Sequence, residues 1–143
     1  MKRALFLFFL FATCAVSANQ PMKVSIINLI STPEKYNGKE VLLDGFLHFK
    51  LEDSVLYLSK DHADRLMGKE GVWVDYSSNI ELTPKTELGI QHFDGKWVTL
   101  VGKFIYEDER GNGHFGLNSG RLDDVSRMWE SRQWYDGKEK IER

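Results

Sequence analysis

The chain has 143 residues, of which 42% are hydrophobic and 28% charged, and its formal net charge is −2. This composition is ordinary for a globular chain and is long enough for one domain with its own hydrophobic core. Because Lys and Arg form no cluster, the charge balance disfavours a nucleic-acid backbone as the main partner.

Residues 1–18, MKRALFLFFLFATCAVSA, are typical of a secretory signal peptide. Lys2 and Arg3 precede an apolar run of about a dozen residues, which is shorter than the roughly 20 residues needed to span a bilayer. Val16 and Ala18 occupy the −3 and −1 positions of a cleavage site. We therefore expect a mature chain that is exported, periplasmic or secreted, without a transmembrane segment.

The single cysteine, Cys14, lies near the end of the apolar run. A lipoprotein with its lipid on Cys14 is the alternative, although FATC lacks the usual Leu three places before the cysteine. Loss of residues 1–18 leaves 17 basic and 21 acidic residues, a net charge of −4. A domain at residues 19–130 then has to fold by packing alone, without disulfides, and residues 131–143 are expected to form a polar tail.

The first element of the domain is a short helix within residues 24–36, VSIINLISTPEKY. Its apolar residues follow helical spacing better than strict alternation. Ser25 is a candidate N-cap, and Pro33 ends or kinks the helix. Asn37-Gly38 then predicts a turn into the first strand.

Two long strands are predicted from a phrase that the chain uses twice, GKEVLLDGFL from Gly38 and GKWVTLVGKF from Gly95. Alternation places an apolar set on one face of each strand, which predicts that this face meets a core. Each apolar face has a glycine near its middle, Gly45 or Gly102. Glycine within a strand often marks a bend at a barrel corner.

Shorter strands are predicted at residues 54–60 and 71–76, separated by a helical turn with Asp61 as its N-cap. Residues 77–94 are predicted to be a connection, helical or irregular, and a last strand starts at His114. The segment LDDVSRMWESRQW from Leu122 fits either a strand or a helix. The order predicts a mainly β fold, a five-stranded OB-fold-like Greek-key barrel with a short N-terminal helix. An open α+β sheet is the alternative.

A family resemblance rests on the run SIINLISTPEKYNGKEVLLDGFL. Its spacing of an aliphatic residue, Pro, Tyr, Gly-Lys, Val and Gly resembles a group of largely uncharacterised exported bacterial OB-fold-like proteins, and more distantly the tRNA-anti-like OB domains. The likeness covers most of residues 24–127 and implies the fold. It implies no catalytic residues and no cofactor. The matching positions are Ile30, Pro33, Tyr36, Gly38, Lys39, Val41 and Gly45.

Catalytic motifs are absent from the sequence: it contains no GxSxG, HExxH, P-loop or dinucleotide fingerprint. The histidines are too far apart to form a local metal pair, and we expect no catalytic residue and no metal ligand. The alternative is a metal-dependent or hydrolytic enzyme in which His48 and His114 meet across strands beside nearby carboxylates.

A binding module is the function that the pattern favours, with an unknown protein or a small molecule such as a glycan or peptide as its ligand. OB barrels bind on the outer face of their first three strands. Here that face is predicted to carry a partly exposed row of aromatic side chains. If this row is covered, Trp73 belongs to the core and the site does not exist. The candidate ligand-binding residues are Phe46, His48, Tyr57 and Trp73.

Overall fold

A computed structural model describes residues 20–50, 52–106 and 116–131. The predicted signal peptide with Cys14, the residue His114 and the tail beyond residue 131 lie outside these ranges. The described residues are mainly β. The elements in chain order are β1 (Met22–Val24), α1 (Ile26–Ser31), a 3-10 helix (Pro33–Lys35), β2 (Glu40–Lys50), β3 (Asp53–Tyr57), α2 (Lys60–Asp64), a 3-10 helix (Gly68–Glu70), β4 (Gly71–Thr83), a 3-10 helix (Gly89–Phe93), β5 (Trp97–Ile105) and β6 (Arg121–Glu130).

The strands form one mixed sheet in the order β1-β2-β3-β4-β6-β5. β1 is parallel to β2, and β4 is parallel to β6, whereas the other pairs are antiparallel. An additional pairing joins β2 to β5, so the ladder that starts at β2 passes through β3, β4, β6 and β5 and returns to β2. The described residues contain no helix that is long and apolar enough to cross a membrane.

The helix α1 begins where the sequence predicts it. Ser25 is the N-cap, because its hydroxyl accepts the backbone N–H of Asn28 at 3.1 Å. The Asn28 side chain accepts the backbone N–H of Ser25 in return, at 3.3 Å, so both free amide groups of this capping box have partners. Ile26 and Leu29 are buried in the core, and Pro33 starts the 3-10 helix that follows.

The two copies of the repeated phrase pair with each other. In the antiparallel β2–β5 ladder, Val41 lies opposite Gly102 and Gly45 lies opposite Val98. A Cβ atom at Gly45 would lie 2.6 Å from the Leu56 side chain, and one at Gly102 would lie 2.9 Å from the Val125 side chain. Both glycines are therefore places where another element approaches too closely for a side chain.

The turns that precede β2 and β5 follow one design. Gly38 and Gly95 have φ angles of +74° and +70°, a backbone region that glycine adopts without strain. Their N–H groups donate to the carbonyls of Phe104 and Leu47, at 2.8 and 2.9 Å. Each copy of the phrase is thus tied at its first residue to the strand that contains the other copy.

The main core is filled from both long strands, from α1 and from β3, β4 and β6. The inward parity predicted for the two phrases lies in this core, and Phe46, Thr99 and Val101 of the opposite parity are buried outside it. The core residues with at most 1% of their surface exposed include Ile26, Leu29, Val41, Leu43, Leu47, Leu56, Val72, Phe93, Val98, Leu100, Phe104, Leu122, Val125 and Met128.

The structure differs from the sequence-based prediction around β4 and β1. The sheet has six strands in place of five, since Met22–Val24 adds an edge strand to β2. β4 extends to Thr83, so the first part of the predicted connection is strand. The register between β4 and β6 shifts between Tyr76 and Glu81. The polar run 77–79 at this irregularity interrupts the apolar pattern, so the sequence predicts an end at residue 76, although Ile80 and Leu82 keep the inward parity and pack against the core.

Three smaller predictions also change. The helix α2 is capped by Ser59 and not by Asp61, because the Ser59 hydroxyl accepts the backbone N–H of His62. Residues 122–130, for which the sequence leaves strand and helix open, belong to the strand β6, Arg121–Glu130. This strand lies between β4 and β5, where a helix could not continue the ladder. The last strand predicted from His114 is wrong over residues 116–120, which are not strand.

Candidate functional site

The four side chains predicted to bind a ligand lie on one face of neighbouring strands. Phe46 lies opposite Tyr57 in the β2–β3 ladder. His48 and Trp73 flank Val55, because Val55 is opposite His48 on one side and opposite Trp73 on the other. The strand register therefore places the four residues in the expected row on one face of β2, β3 and β4.

The exposure of this row differs from the expectation. Phe46 and Tyr57 are only 7% and 2% exposed, whereas Trp73 is partly exposed. The buried residues Phe46, Val55, Tyr57 and Ala63 form a second hydrophobic cluster, here called the outer cluster, against which Trp73 and Trp97 pack. Ala63 comes from α2, so α2 covers this face, while α1 packs into the main core.

His48 lies at the edge of the outer cluster. Its ring is 6.4 Å from that of Tyr57 in an edge-to-face arrangement. Its Nε2 atom is shielded from solvent and has no hydrogen-bond partner among the described residues. The described parts of the chain contain no group of three His, Cys, Asp or Glu residues that could hold a metal ion. The alternative in which His48 meets His114 involves a residue outside the described ranges.

A cleft of about 400 Å³ opens beside Phe46 and is here called the Trp97 cleft. Strands β2, β5 and β6 and the helix α2 each contribute to its walls. Phe46 lies opposite Trp97 in the β2–β5 ladder, and their rings are 6.0 Å apart at 79°. The lining residues are Phe46, Lys60, Gly95, Lys96, Trp97, Glu130 and Ser131.

Trp97 is not one of the four predicted ligand-binding residues, although the repeated phrase contains a signal for it. The phrase reads GKEV at its first occurrence and GKWV at its second, so a large aromatic stands where the other copy has the exposed Glu40. Trp97 is partly exposed, and the register places it beside Phe46 on the outer face. This difference between two otherwise similar copies is the signal in the sequence that indicates Trp97.

Three polar groups form a triangle at one wall of the Trp97 cleft. Lys96 Nζ lies 2.6 Å from Glu130 Oε1, His92 Nε2 lies 3.1 Å from the same oxygen, and the two nitrogens are 3.0 Å apart. The hydrogen bond from Lys96 lowers the pKa of the Glu130 carboxyl below its usual value, and partial burial opposes this shift. Glu130 is therefore a carboxylate at neutral pH.

A second polar group lies beneath the cleft. The Thr99 hydroxyl donates a hydrogen bond to Asp44 Oδ1, and the Ser131 hydroxyl is 2.9 Å from that of Thr99 and 3.3 Å from the same carboxylate oxygen. Thr99 is buried and Ser131 is partly buried. These bonds join the end of β6 to β2 and β5, which fixes the cleft wall at Ser131.

Lys60, in the first turn of α2, also lines the cleft. Its ammonium group lies 2.5 Å from Asp64 Oδ2, and the Lys60 side chain is 64% exposed. Exposed pairs at this helical spacing contribute little to stability. The Lys60 ammonium group is therefore held only loosely by Asp64.

A second cleft of about 310 Å³ lies near the end of α1, lined by Ile30, Pro33, Lys69, Tyr106, Gly116, Asn118 and Ser119. Its polar side chains hold the surrounding loop: the Ser119 hydroxyl donates to the Lys69 carbonyl at 2.7 Å, and the Asn118 amide donates to the Gly68 carbonyl at 3.5 Å. With these groups committed to the loop, the Trp97 cleft is the better candidate site.

Comparison with known proteins identifies no family. No protein-family model matches the chain, and no curated protein matches it. Among solved structures, the chain is similar to one provisionally assigned as an aspartyl-tRNA synthetase from Leishmania major Friedlin, with 13% sequence identity and a TM-score of 0.43. The likeness covers 84% of this chain and 23% of that chain, so this chain spans about a quarter of its length.

Proposed function

We propose that the chain is the folded part of an exported, non-catalytic binding protein that takes a small polar molecule in the Trp97 cleft. The observation that supports this is a partly exposed Trp97 in a cleft that is also lined by Lys60 and Lys96. Ligand sites for small molecules combine apolar or aromatic walls with a few polar groups in clefts of about 300–1,000 Å³. A saccharide or a short peptide suits such a site, because its ring or side chain stacks on Trp97 while its polar groups meet the lysines.

We also infer that β2 to β6 form an OB-type barrel to which β1 is an added edge strand. The ladder returns from β5 to β2, and β4 is parallel to β6. A five-stranded Greek-key barrel that starts with a three-stranded meander produces these pairings. The Trp97 cleft then lies beside the outer face of the first three barrel strands and shares Phe46 with it.

The binding proposal is tested by NMR titration of the ¹⁵N-labelled protein with small saccharides, amino acids and dipeptides at millimolar concentration. Because the chain has four tryptophans, a Trp97→Phe variant assigns the Trp97 indole signal. We expect a binding compound to shift this signal and the amide signals of Gly95, Lys96 and Ser131. The Trp73 indole signal serves as the internal control and should not move.

Two outcomes contradict the proposal. If no compound shifts the signals of the cleft, the Trp97 cleft is not a small-molecule site. If shifts concentrate at His48 and Trp73, the ligand binds the predicted row on β2, β3 and β4 instead. A protein partner would give a third pattern, in which a broad set of surface amides shifts or broadens beyond the cleft.

The proposed export rests on the order Lys2-Arg3, apolar run, Val16-Ser17-Ala18. Intact-mass measurement of the protein from the cell envelope fraction tests it. We expect a chain that begins at Asn19 and carries no lipid. A mass that retains residues 1–18, or one that includes a diacylglycerol group on Cys14, contradicts this expectation.

A further inference from the structure

We propose that the ligand of the Trp97 cleft is an acid: a small ring-shaped molecule whose ring packs on Trp97 and whose carboxylate binds Lys96 and Lys60, in the place that the Glu130 carboxylate holds in the free protein. This inference rests on the proposed binding function and adds the chemical class of the ligand. It follows from the charges of the cleft, from the geometry around Lys96 and from the space above Gly95.

The charges that line the cleft favour an anion. Lys60 and Lys96 are the cationic lining residues, and Glu130 is the anionic one. Glu130 is the last residue of β6, and its side chain is 45% exposed. Its carboxylate can therefore turn out toward solvent without moving the strand. Once the Glu130 carboxylate has turned outward, the two lysines are the charged residues that still line the cleft.

The triangle of Lys96, His92 and Glu130 cannot satisfy all three of its contacts at once. If neutral His92 accepts a hydrogen bond from Lys96, its Nε2 lone pair faces the Glu130 oxygen 3.1 Å away. If His92 Nε2 carries a proton and donates to Glu130, that proton faces the Lys96 ammonium group 3.0 Å away. In the first state the contact between His92 and Glu130 is unfavourable, and in the second the contact between His92 and Lys96 is. Glu130 is therefore held less firmly than its 2.6 Å contact with Lys96 indicates.

The Lys60 ammonium group is available to the same ligand. Its described partner is Asp64, one helical turn away, and more than half of both side chains is exposed. Gly95 leaves open space on the adjoining wall, since a Cβ atom there would have no neighbour within 4 Å. A ring can enter over Gly95 and reach the partly exposed indole of Trp97.

Two kinds of molecule share this chemistry, a sugar acid and an aromatic acid, and the probes distinguish them. Glucuronate and benzoate are the acids, and glucose and benzyl alcohol are their uncharged counterparts. Each is titrated into ¹⁵N-labelled protein at low salt, with the Trp97 indole signal as readout. We expect at least one acid to bind at least tenfold more tightly than its counterpart, and added salt to weaken it.

Matched variants test the assigned contacts. Lys96→Met keeps the apolar stem of the side chain and should weaken binding of the acid without changing the binding of its uncharged counterpart. Lys103→Met, at an exposed position on β5 outside the cleft, should have no effect. Glu130→Gln removes the internal competitor and should strengthen acid binding threefold or more without changing the binding of the uncharged molecule. Lys60→Met, at an exposed helix position, should weaken acid binding and replaces Lys96→Met if that variant does not fold.

Each of the following results contradicts one part of the proposal. If the uncharged molecules bind as tightly as the acids, the binding proposal stands and the acid inference fails. If neither acid shifts the Trp97 signal, the acid inference fails, and the binding proposal fails with it only if the saccharides, amino acids and dipeptides shift no cleft signal either. If the acid binds but neither lysine variant weakens it, the carboxylate does not lie on Lys60 and Lys96. An unchanged affinity in Glu130→Gln shows that the ligand does not take the place of Glu130.

Discussion

Gly45 of β2 lies directly opposite Val98 of β5. The same ladder places Val41 opposite Gly102, so each copy of the repeated phrase sets its glycine against the first valine of the other copy. The phrase is thus one structural solution, used on two strands that lie side by side. Each glycine leaves the inner face of its strand open to a third element: Leu56 and Ile26 approach Gly45, and Val125 approaches Gly102.

The first prediction concerns these close approaches. Gly45→Ala and Gly102→Ala should each lower the free energy of unfolding by about 1–3 kcal/mol, the usual cost of added volume in a packed core. Gly45→Ala should cost more, because its Cβ atom would lie 2.6 Å from Leu56 and 2.9 Å from the carbonyl oxygen of Tyr57. Urea melts measure both losses. The exposed Lys39→Ala is the control and should change stability by less than about 0.5 kcal/mol; a similarly small loss in both glycine variants contradicts the assignment.

The fold follows from the sequence where its pattern is strictly periodic. The inward parity of both phrases, the N-cap at Ser25 and the turn at Gly38 are as predicted, because alternation, capping chemistry and positive φ are local properties. The far half of β4 is not evident from the sequence, because the polar residues 77–79 separate Ile80 and Leu82 from the apolar run that ends at Tyr76. β1 is three residues long, too short for a periodic signal.

The candidate site was predictable only in part. Register follows from parity, so Phe46, His48, Tyr57 and Trp73 could be placed on one face. Their exposure could not, because it depends on where α2 packs, and Ala63 carries no sign in the sequence that it will cover Phe46. The pairs that join Lys96 to Glu130 and Ser131 to Asp44 connect residues 34 and 87 positions apart. Such contacts arise from the strand order, which local patterns do not specify.

The second prediction concerns two side chains at the same place in each copy of the phrase. Asn37 Oδ1 accepts the backbone N–H of Tyr106 at 2.9 Å, and Asp94 Oδ1 accepts that of Phe49 at 2.8 Å. Each tie joins one turn to the far end of the opposite strand. Asn37→Ala and Asp94→Ala should therefore each cost about 1 kcal/mol of unfolding free energy.

Two further variants check this second prediction in the same chemical denaturation series. Asp94→Asn retains an oxygen that can accept the N–H and should recover most of the loss. Asn79→Ala, at an exposed position on β4, should stay within about 0.5 kcal/mol of the parent. Equal losses in Asp94→Asn and Asp94→Ala would show that the charge, and not the hydrogen bond, is what matters.

The third prediction separates the outer cluster from the residues at its edge. Phe46 is buried between Tyr57 and Trp97, its neighbours on either side in the ladder. Phe46→Ala should cost about 3–5 kcal/mol, as for other buried aromatic side chains. Trp73→Ala, at a partly exposed position, should cost less than half of that. Thermal melts of the two variants measure the difference, and an equal loss would make Trp73 a core residue.

The last prediction concerns the alkaline limit of stability. The Tyr76 hydroxyl lies 2.6 Å from that of the buried Ser54, and burial raises the pKa of Tyr76 well above its ordinary value of 10.0, against the smaller lowering effect of this hydrogen bond. Above pH ~10 the unfolded chain releases this proton while the folded chain keeps it, so the folded state binds more protons and stability falls as pH rises, by up to about 1.4 kcal/mol per pH unit.

Tyr76→Phe should be less stable than the parent at pH 7, because Ser54 loses its partner, but its stability should fall less steeply above pH 10. Burial also raises the pKa of Tyr57, so some slope remains in this variant. Ser54→Ala keeps the Tyr76 hydroxyl and should retain the steep slope of the parent. Urea melts at pH 7, 10 and 11 compare the three proteins, and a gap between the parent and Tyr76→Phe that stays constant across this range would show that the Tyr76 proton is not held by burial.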